Sequence, residues 1–139
     1  MIRVARPADE GRLRAIQSAA LDEPWPELLE GAVDGAPRLL VRDPGQGPVA
    51  YALVVPDDPV AYLAELAVAP PVQGEGHGTA LLTALLDRLR AGGFETVRLT
   101  ARADDERVRS FYAGFDFAVA DRLPDHYDDG DAVLLVRSL

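Results

Sequence analysis

A glycine-rich stretch at residues 73–79 has the composition of a phosphate-binding loop. It reads QGEGHGT, and a leucine-rich segment follows it. Glycines allow a backbone to approach a ligand closely, and the free N–H groups at the start of a helix attract anions. The stretch therefore predicts a loop that binds a phosphate or pyrophosphate group at a helix N-terminus.

Two common phosphate loops do not fit this stretch. The nucleotide triphosphate loop requires a lysine, and all 14 basic residues of the chain are arginine. The dinucleotide fingerprint requires G-x-G-x-x-G, whereas Gly74, Gly76 and Gly78 are spaced G-x-G-x-G. The pattern that fits is Q-x-x-G-x-G, formed by Gln73, Gly76 and Gly78.

This pattern resembles the pyrophosphate loop of the GCN5-related N-acetyltransferases (GNAT), which bind acetyl-CoA. The upstream segment LAVAP is similar to the L-x-V-x-P motif of that family, and RADDERVRSFYAGFDF is similar to its R-A-x-N-x-x-A-x-x-x-Y-x-x-x-G-F motif. Together the similarities span essentially the whole chain. They imply acetyl-CoA as the acetyl donor, bound by Leu66, Val68, Gln73, Gly74, Gly76, His77, Gly78, Thr79 and Asp105.

Acetyl transfer from a thioester to an amine requires a positioned thioester, a neutral amine, donors to the carbonyl oxygen and an acid for the leaving thiolate. The resemblance implies that Tyr112 is the acid and that a backbone N–H near Val68 binds the oxyanion. A glutamate is common in the family where this chain has Thr100. Glu65 on the neighbouring strand is the predicted base, because burial raises a carboxylate pKa; a base acting through water is the alternative.

Two shorter stretches resemble the acetyltransferases that modify the N-terminal alanine of ribosomal protein S18. They are the proline-flanked Trp25 and the tail segment containing His126 and Tyr127. The resemblance implies that these three residues bind the acceptor near its N-terminus. Asp105 departs from the family, which usually has asparagine at that position.

Hydrophobic periodicity predicts the elements that position these residues. IRVA, RLLVRD, PVAYALVV, VAYLAELAV, TVRLTA, FAVADRL and AVLLVRSL are predicted strands, and helices are predicted after Pro7, around Trp25, after Gly78 and over DDERVRSFYAGF. The order is β-α-α-β-β-β-α-β-α-β-β. It predicts an α+β GNAT fold, with a mixed central sheet of about seven strands flanked by about four helices, as a single domain over residues 1–139.

Composition limits the possible partners. The chain has a net charge of −9, so we expect no nucleic-acid partner. It has no cysteine and only two histidines, so we expect no metal site. No apolar run has the length of a membrane span, and we expect a soluble cytoplasmic monomer or homodimer.

Three functions remain open at this stage. The first is acetyl-CoA-dependent N-acetylation of a protein or peptide N-terminus. The second has the same chemistry with a small amine, such as a polyamine, an amino acid or an aminoglycoside, as acceptor. The third is a catalytically idle domain that binds acyl-CoA for regulation, which Thr100 and Asp105 keep open.

Overall fold

The computed structural model describes residues 1–33 and 38–139, and a mixed β-sheet with helices on both faces runs through them. The strands are Ile2–Val4 (β1), Arg38–Arg42 (β2), Ala50–Asp57 (β3), Val60–Val68 (β4), Thr96–Arg102 (β5), Ala118–Tyr127 (β6) and Gly130–Ser138 (β7). The α-helices are Glu10–Ala20 (α1), Pro26–Val33 (α2), His77–Ala91 (α3) and Glu106–Ala113 (α4).

The seven strands form one sheet in the order β1-β2-β3-β4-β5-β7-β6. Strands β4 and β5 pair in parallel, and all other neighbouring strands pair in antiparallel fashion. The predicted α+β class and the predicted order of elements are confirmed for the described residues.

The longest helix, α3, follows from the spacing of its leucines. Leu81, Leu82, Leu85, Leu86 and Leu89 recur at helical spacing, and each is at most 4% exposed. Two arginines lie in the last turn, where positive charge interacts favourably with the helix dipole. The helix therefore presents one apolar face to the sheet and a charged end to solvent.

Each face of the sheet is covered by its own hydrophobic core. On one face, α1 and α2 contribute Leu13, Ile16 and Leu29, which pack with Tyr51 and Leu53 of β3. On the other face, α3 and α4 pack against a larger core that includes Leu63, Val97, Leu99, Tyr112, Phe117 and Leu135. We refer to these as the α1 face and the α3 face.

A bulge in β4 changes which side chains point to which face. Leu53 of β3 pairs with Glu65 and Val54 pairs with Leu63, so Ala64 has no partner on β3. Leu63 therefore packs on the α3 face, whereas Glu65 packs on the α1 face although it is two residues further on. Strict alternation would have placed both on the same face.

Strands β4 and β5 separate after Tyr62. Their register consists of three pairs, which end at Tyr62 with Arg98, while β5 stays paired with β7 as far as Arg102. The N–H of Ala69 donates to the Val49 carbonyl at 2.8 Å on the β3 side. Because backbone groups alternate along a strand, the N–H groups of Leu66 and Val68 point into the split between β4 and β5.

Two of the differences from the predicted element boundaries involve hydrogen bonds to aspartates. Pro7–Asp9 forms a 3-10 turn before α1, in which the Asp9 carboxylate accepts two hydrogen bonds from Arg3. Strand β6 continues past the predicted end, through PDHY, because Asp131 accepts a hydrogen bond from the Asp125 amide at 2.9 Å and holds the irregular edge in place.

Within residues 1–33 and 38–139, no helix has both the length and the apolar character needed to cross a bilayer.

Candidate active site

The glycine-rich loop forms the entry to α3 and leaves its amides available. Gly74 and Gly76 have φ values of 82° and 90°, which favour glycine because other residues rarely adopt that conformation. The first helical hydrogen bond in this region runs from the Ala80 amide to the Gly76 carbonyl at 3.0 Å. Within the part of the chain that the structure describes, the amides from Gly74 to Thr79 have no protein acceptor. The loop therefore presents a row of N–H donors at the positive end of a helix dipole.

The left-handed backbone at Gly76 predicts a cost for any side chain there. We expect Gly76→Ala to lower the free energy of unfolding by roughly 1–2 kcal/mol, since an L-residue is strained at this φ. Gly78→Ala is the matched control, because its added methyl would meet Val68 and Phe111 at 3.5 and 3.7 Å, ordinary contact distances. Urea unfolding of both variants measures the effect, and equal losses would contradict the strain at Gly76.

A cavity of about 600 Å³ lies between this loop, β4 and α4. All nine residues predicted to bind the cofactor line it, together with Tyr112. Six further lining residues were not predicted from the sequence: Ala20, Leu21, Ala67, Arg107, Val108 and Phe111. Val108 lies four residues before Tyr112, about one helical turn, so helical spacing would have indicated it. Ala20 and Leu21, at the end of α1, are remote in sequence from every motif.

The β4 wall of the cavity is tied to the loop by Gln73. Its side-chain amide donates to the carbonyl of Val68 at 2.9 Å. That bond holds the end of β4 beside the loop, next to the Val68 N–H that points into the split. The glutamine of the Q-x-x-G-x-G pattern thus fixes the distance between the split and the amide row.

On the α4 wall, Asp105 caps the helix. Its Oδ1 accepts a hydrogen bond from the Val108 amide at 3.1 Å, so its acceptor capacity serves the helix N-terminus. Arg107 also lines the cavity and contributes a positive charge to its wall.

His77 is half-buried at the first helical position of α3. Its Nδ1 accepts a hydrogen bond from Arg42 Nε at 3.4 Å, and its Nε2 lies 3.9 Å from Glu75 Oε1. The ring therefore links the loop to β2. Among the described residues, no three His, Asp or Glu side chains are grouped as metal ligands would be.

Tyr112 lies against the cavity with its ring fixed by neighbours. It is 7% exposed, and its ring packs edge-to-face against Phe111 at 5.1 Å and Phe117 at 5.4 Å. Burial raises the pKa of its phenol above the ordinary value of 10. The hydroxyl thus stays protonated at neutral pH, as a proton donor must.

Tyr51 and Tyr112 together predict a loss of stability in alkali. Burial raises the pKa of both phenols, and the negative charge of Glu65 raises that of Tyr51 further. Up to about pH 10 these phenols are protonated in both states; above it the unfolded chain releases protons that the folded chain keeps, so the free energy of unfolding falls.

Urea unfolding between pH 8 and pH 11 measures this fall. Tyr112→Phe removes one of the two groups without removing a hydrogen bond found within the described residues, so its stability should fall less steeply with pH. If the free energy of unfolding fell equally steeply with pH in the two proteins, the raised pKa of Tyr112 would be contradicted.

Glu65 is at the centre of a buried hydrogen-bond network on the α1 face. It is 6% exposed and does not line the cavity among the described residues. Its two oxygens accept hydrogen bonds from the Tyr51 hydroxyl at 2.9 Å, the Gln17 side-chain amide at 2.9 and 3.2 Å, and the Trp25 backbone amide at 2.8 Å. Each oxygen thus has two donors, which fill its lone pairs. For Glu65 to accept a proton from an amine, one of these donors has to move away.

The three residues predicted to bind the acceptor lie outside the cavity, near the far end of the split. The Trp25 side chain is 53% exposed in the segment between α1 and α2. His126 and Tyr127 end β6, and their rings pack edge-to-face at 4.9 Å. Trp25 therefore lies on a different segment from His126 and Tyr127, and the side chain of a further residue contacts both segments.

Arg102, at the end of β5, makes that connection. Its guanidinium bonds to Glu23, two residues before Trp25, and to Asp129 at 2.8 Å, and it lies 4.6 Å from the centre of the Tyr127 ring. The same charge holds the pKa of Asp129 below its ordinary value. Arg102 therefore holds the α1–α2 segment and the β6–β7 turn on either side of the split.

Thr100 lies on β5, two residues before Arg102. Its Oγ1 is 3.2 Å from the hydroxyl of Tyr62, and either atom can be the donor. Both residues point to the α1 face, because their neighbours Leu63 and Leu99 belong to the α3-face core. The sequence analysis had noted Thr100 but missed Tyr62, since the contact depends on the β4–β5 register.

This arrangement can bind a long anionic ligand whose phosphates lie on the loop and whose polar arm enters the split. The Leu66 and Val68 amides would bond to the arm, and the Tyr112 hydroxyl lies in the same cavity. An acceptor would approach from the opposite, α1 face. Two reactants entering from opposite faces can meet where β4 and β5 separate.

Comparison with known proteins finds similar sequences and similar folds. The ribosomal protein bS18-alanine N-acetyltransferase of Haemophilus ducreyi is 31% identical over 118 residues, which cover 84% of this chain and 81% of that protein. The crystal structure of the ribosomal-protein-S18-alanine N-acetyltransferase from Escherichia coli superposes with a TM-score of 0.88 at 26% identity, covering 99% of this chain and 92% of that one.

Mycothiol acetyltransferase of Streptomyces avermitilis is 38% identical over 124 residues, which cover 78% of this chain. The chain spans only 40% of that protein and 25% of a second mycothiol acetyltransferase, from Beutenbergia cavernae. The acetyltransferase (GNAT) family matches residues 9–117. The chain therefore belongs to the acetyltransferase (GNAT) family.

Proposed function

We propose that this protein transfers an acetyl group from acetyl-CoA to a primary amine, which is the N-terminal amine of a peptide or protein. The observation that carries the proposal is the row of amides from Gly74 to Thr79, which have no acceptor within the described residues and border a 600 Å³ cavity. A pyrophosphate supplies the acceptors that these amides lack, and the helix dipole favours its charge.

The coenzyme occupies the cavity with its pantetheine arm in the split. The N–H groups of Leu66 and Val68 bond to the arm in place of a neighbouring strand. A Val68 N–H that points into the split can also bind the oxygen of the tetrahedral intermediate. Asp105 holds the start of α4 in place. Arg107 adds a positive charge to the cavity wall of a protein whose net charge is −9.

The amine attacks the thioester carbon directly, without a covalent enzyme intermediate. The C–N bond forms, the C–S bond breaks, and Tyr112 donates its proton to the departing sulfur. Its buried phenol is suited to this role because it remains protonated at neutral pH. Glu65 can act as the base only after one of its four donated hydrogen bonds is lost, and loss of the amine's proton through water is the alternative.

The acceptor side supports a peptide as substrate. Trp25 is exposed and Tyr127 is half-buried, and Arg102 holds their segments in place. One relative, which matches 84% of the length of this chain, is named for acetylation of the alanine of a ribosomal protein. Relatives named for mycothiol instead favour a small-molecule acceptor as the second candidate.

Calorimetry with acetyl-CoA, followed by assays of thiol release, tests the proposal. We expect saturable heat with acetyl-CoA and thiol release with peptides that carry a free N-terminus. Release with small amines alone would favour the second candidate. Binding without release from either panel would indicate an idle acyl-CoA-binding domain, and no heat from a folded sample would overturn the assignment.

A further inference from the structure

Two hydroxyl groups mark the closed end of the split. Tyr62 is the last residue of β4 that pairs with β5, and Thr100 lies two residues beyond its partner, Arg98. Their oxygens are 3.2 Å apart, and both side chains point to the α1 face, from which an acceptor would enter. A hydroxyl that donates to its neighbour keeps lone pairs for a further donor, so the pair can accept an N–H.

Two of the charged groups around this pair, Glu65 and Arg102, already have partners. Glu65 on β4 has four donated hydrogen bonds, and Arg102 on β5 bonds to Glu23 of the α1–α2 segment and to Asp129 of the β6–β7 turn. Arg98 on β5 is exposed, and Tyr127 of β6 lies under Arg102. On β7, the residue opposite Thr100 is the uncharged Leu134.

Given the acetyltransferase activity proposed above, we infer that the Tyr62–Thr100 pair positions the acceptor as a neutral amine, which has lost its proton to solvent before it attacks. A carboxylate at this point would stabilise the ammonium form, which cannot attack. Two neutral hydroxyls accept an amine N–H without stabilising that charge. They leave the nitrogen lone pair free to face the thioester carbon.

The proton balance is complete with water alone. The ammonium ion releases one proton to solvent and becomes an amine. The amine nitrogen then bonds to the thioester carbon and the C–S bond breaks. The sulfur takes the Tyr112 proton, the new amide nitrogen releases its extra proton to solvent, and Tyr112 is reprotonated from solvent. The products are an N-acetylated acceptor and free coenzyme A.

This mechanism favours one class of amine. An α-amino group has a pKa of about 7.7–8.0, so roughly a tenth of it is neutral at pH 7, whereas a lysine-type amine with a pKa of about 10.4 is less than about a thousandth neutral. A site that selects the neutral form thus selects peptide N-termini over side-chain amines and polyamines. The Tyr62–Thr100 pair would thus select peptide N-termini without any charged group.

The pH dependence of kcat/KM with two acceptors tests this inference. One is a peptide that begins with alanine; the other is the same peptide beginning with β-alanine, whose amine is more basic because it lies one carbon further from the carbonyl. We expect kcat/KM to rise with pH and to level off at the pKa of each acceptor's own amine. Levelling at the same pH for both would reveal an enzyme group, such as Glu65, and would overturn the inference.

Isosteric variants test the positioning role. Thr100→Val and Tyr62→Phe should each lower kcat/KM for the alanine peptide roughly tenfold, through a raised KM, because each removes one hydrogen bond to the amine. Acetyl-CoA affinity and the pH of levelling should stay unchanged. Thr96→Val, on the same strand and face, is the matched control and should behave as the parent protein.

Unchanged KM in both variants would overturn the positioning role while leaving the acetyltransferase assignment intact. Absence of thiol release from the parent protein with any acceptor would overturn both.

Discussion

Tyr112→Phe is expected to reduce the rate of thiol release by roughly 10²- to 10⁴-fold, the range for loss of a general acid. The variant keeps the ring that packs against Phe111 and Phe117, so the cavity wall keeps its shape. Its affinity for acetyl-CoA should match that of the parent protein, because the hydroxyl acts on the sulfur only as the C–S bond breaks.

Parallel measurements of turnover and acetyl-CoA binding separate these roles. A large loss in kcat with an unchanged Kd supports proton donation. Equal losses in both would indicate that Tyr112 only shapes the cavity. A less basic leaving group provides a further control, since an acyl donor whose leaving group needs no proton should be transferred by both proteins at similar rates.

Glu65→Ala has the largest expected effect on stability. It leaves the Tyr51 hydroxyl, the Gln17 amide and the Trp25 amide without an acceptor. We expect a loss on the order of 3–5 kcal/mol, since each buried donor without a partner costs about 1–3 kcal/mol. That loss is a large fraction of the about 5–15 kcal/mol by which a typical domain is stable. Glu30→Ala, on the exposed side of α2, should change stability by less than about 0.5 kcal/mol.

Glu65→Gln separates the structural role of this residue from the predicted catalytic one. The amide keeps the size and one acceptor oxygen, so folding should survive at a cost of roughly 1–3 kcal/mol. A folded Glu65→Gln protein that turns over within a few fold of the parent would remove Glu65 as the base. A drop of about 10²-fold or more with intact folding would support it.

The residues predicted to bind the cofactor follow from local patterns in the sequence. The glycines, the leucine spacing of α3 and the position of Tyr112 each depend on residues within about one helix or loop. For that reason Gln73, Gly76 and Thr79 could be assigned to one binding site from the sequence, and all three line the cavity.

Contacts between distant segments could not be predicted in the same way. Glu65 meets Gln17, which is 48 residues away, and Arg102 meets Glu23, which is 79 residues away. The capping role of Asp105 was also missed, because a helix N-cap and a ligand contact both favour a short polar side chain at that position. The sequence shows that Glu65, Arg102 and Asp105 are charged, but it does not show which residues they contact.

The unpaired Ala64 has a consequence for how this gene can vary. Loss of that single codon would join Leu63 directly to Glu65 and restore regular alternation. Leu66 and Val68 would stay on the α3 face, and the carboxylate of Glu65 would stay on the α1 face. A codon lost from the hairpin between β2 and β3 would likewise shorten only a surface connection. Deletion scanning should therefore find β4 tolerant at Ala64 and intolerant at Leu66, whose loss would turn a neighbouring side chain to the wrong face.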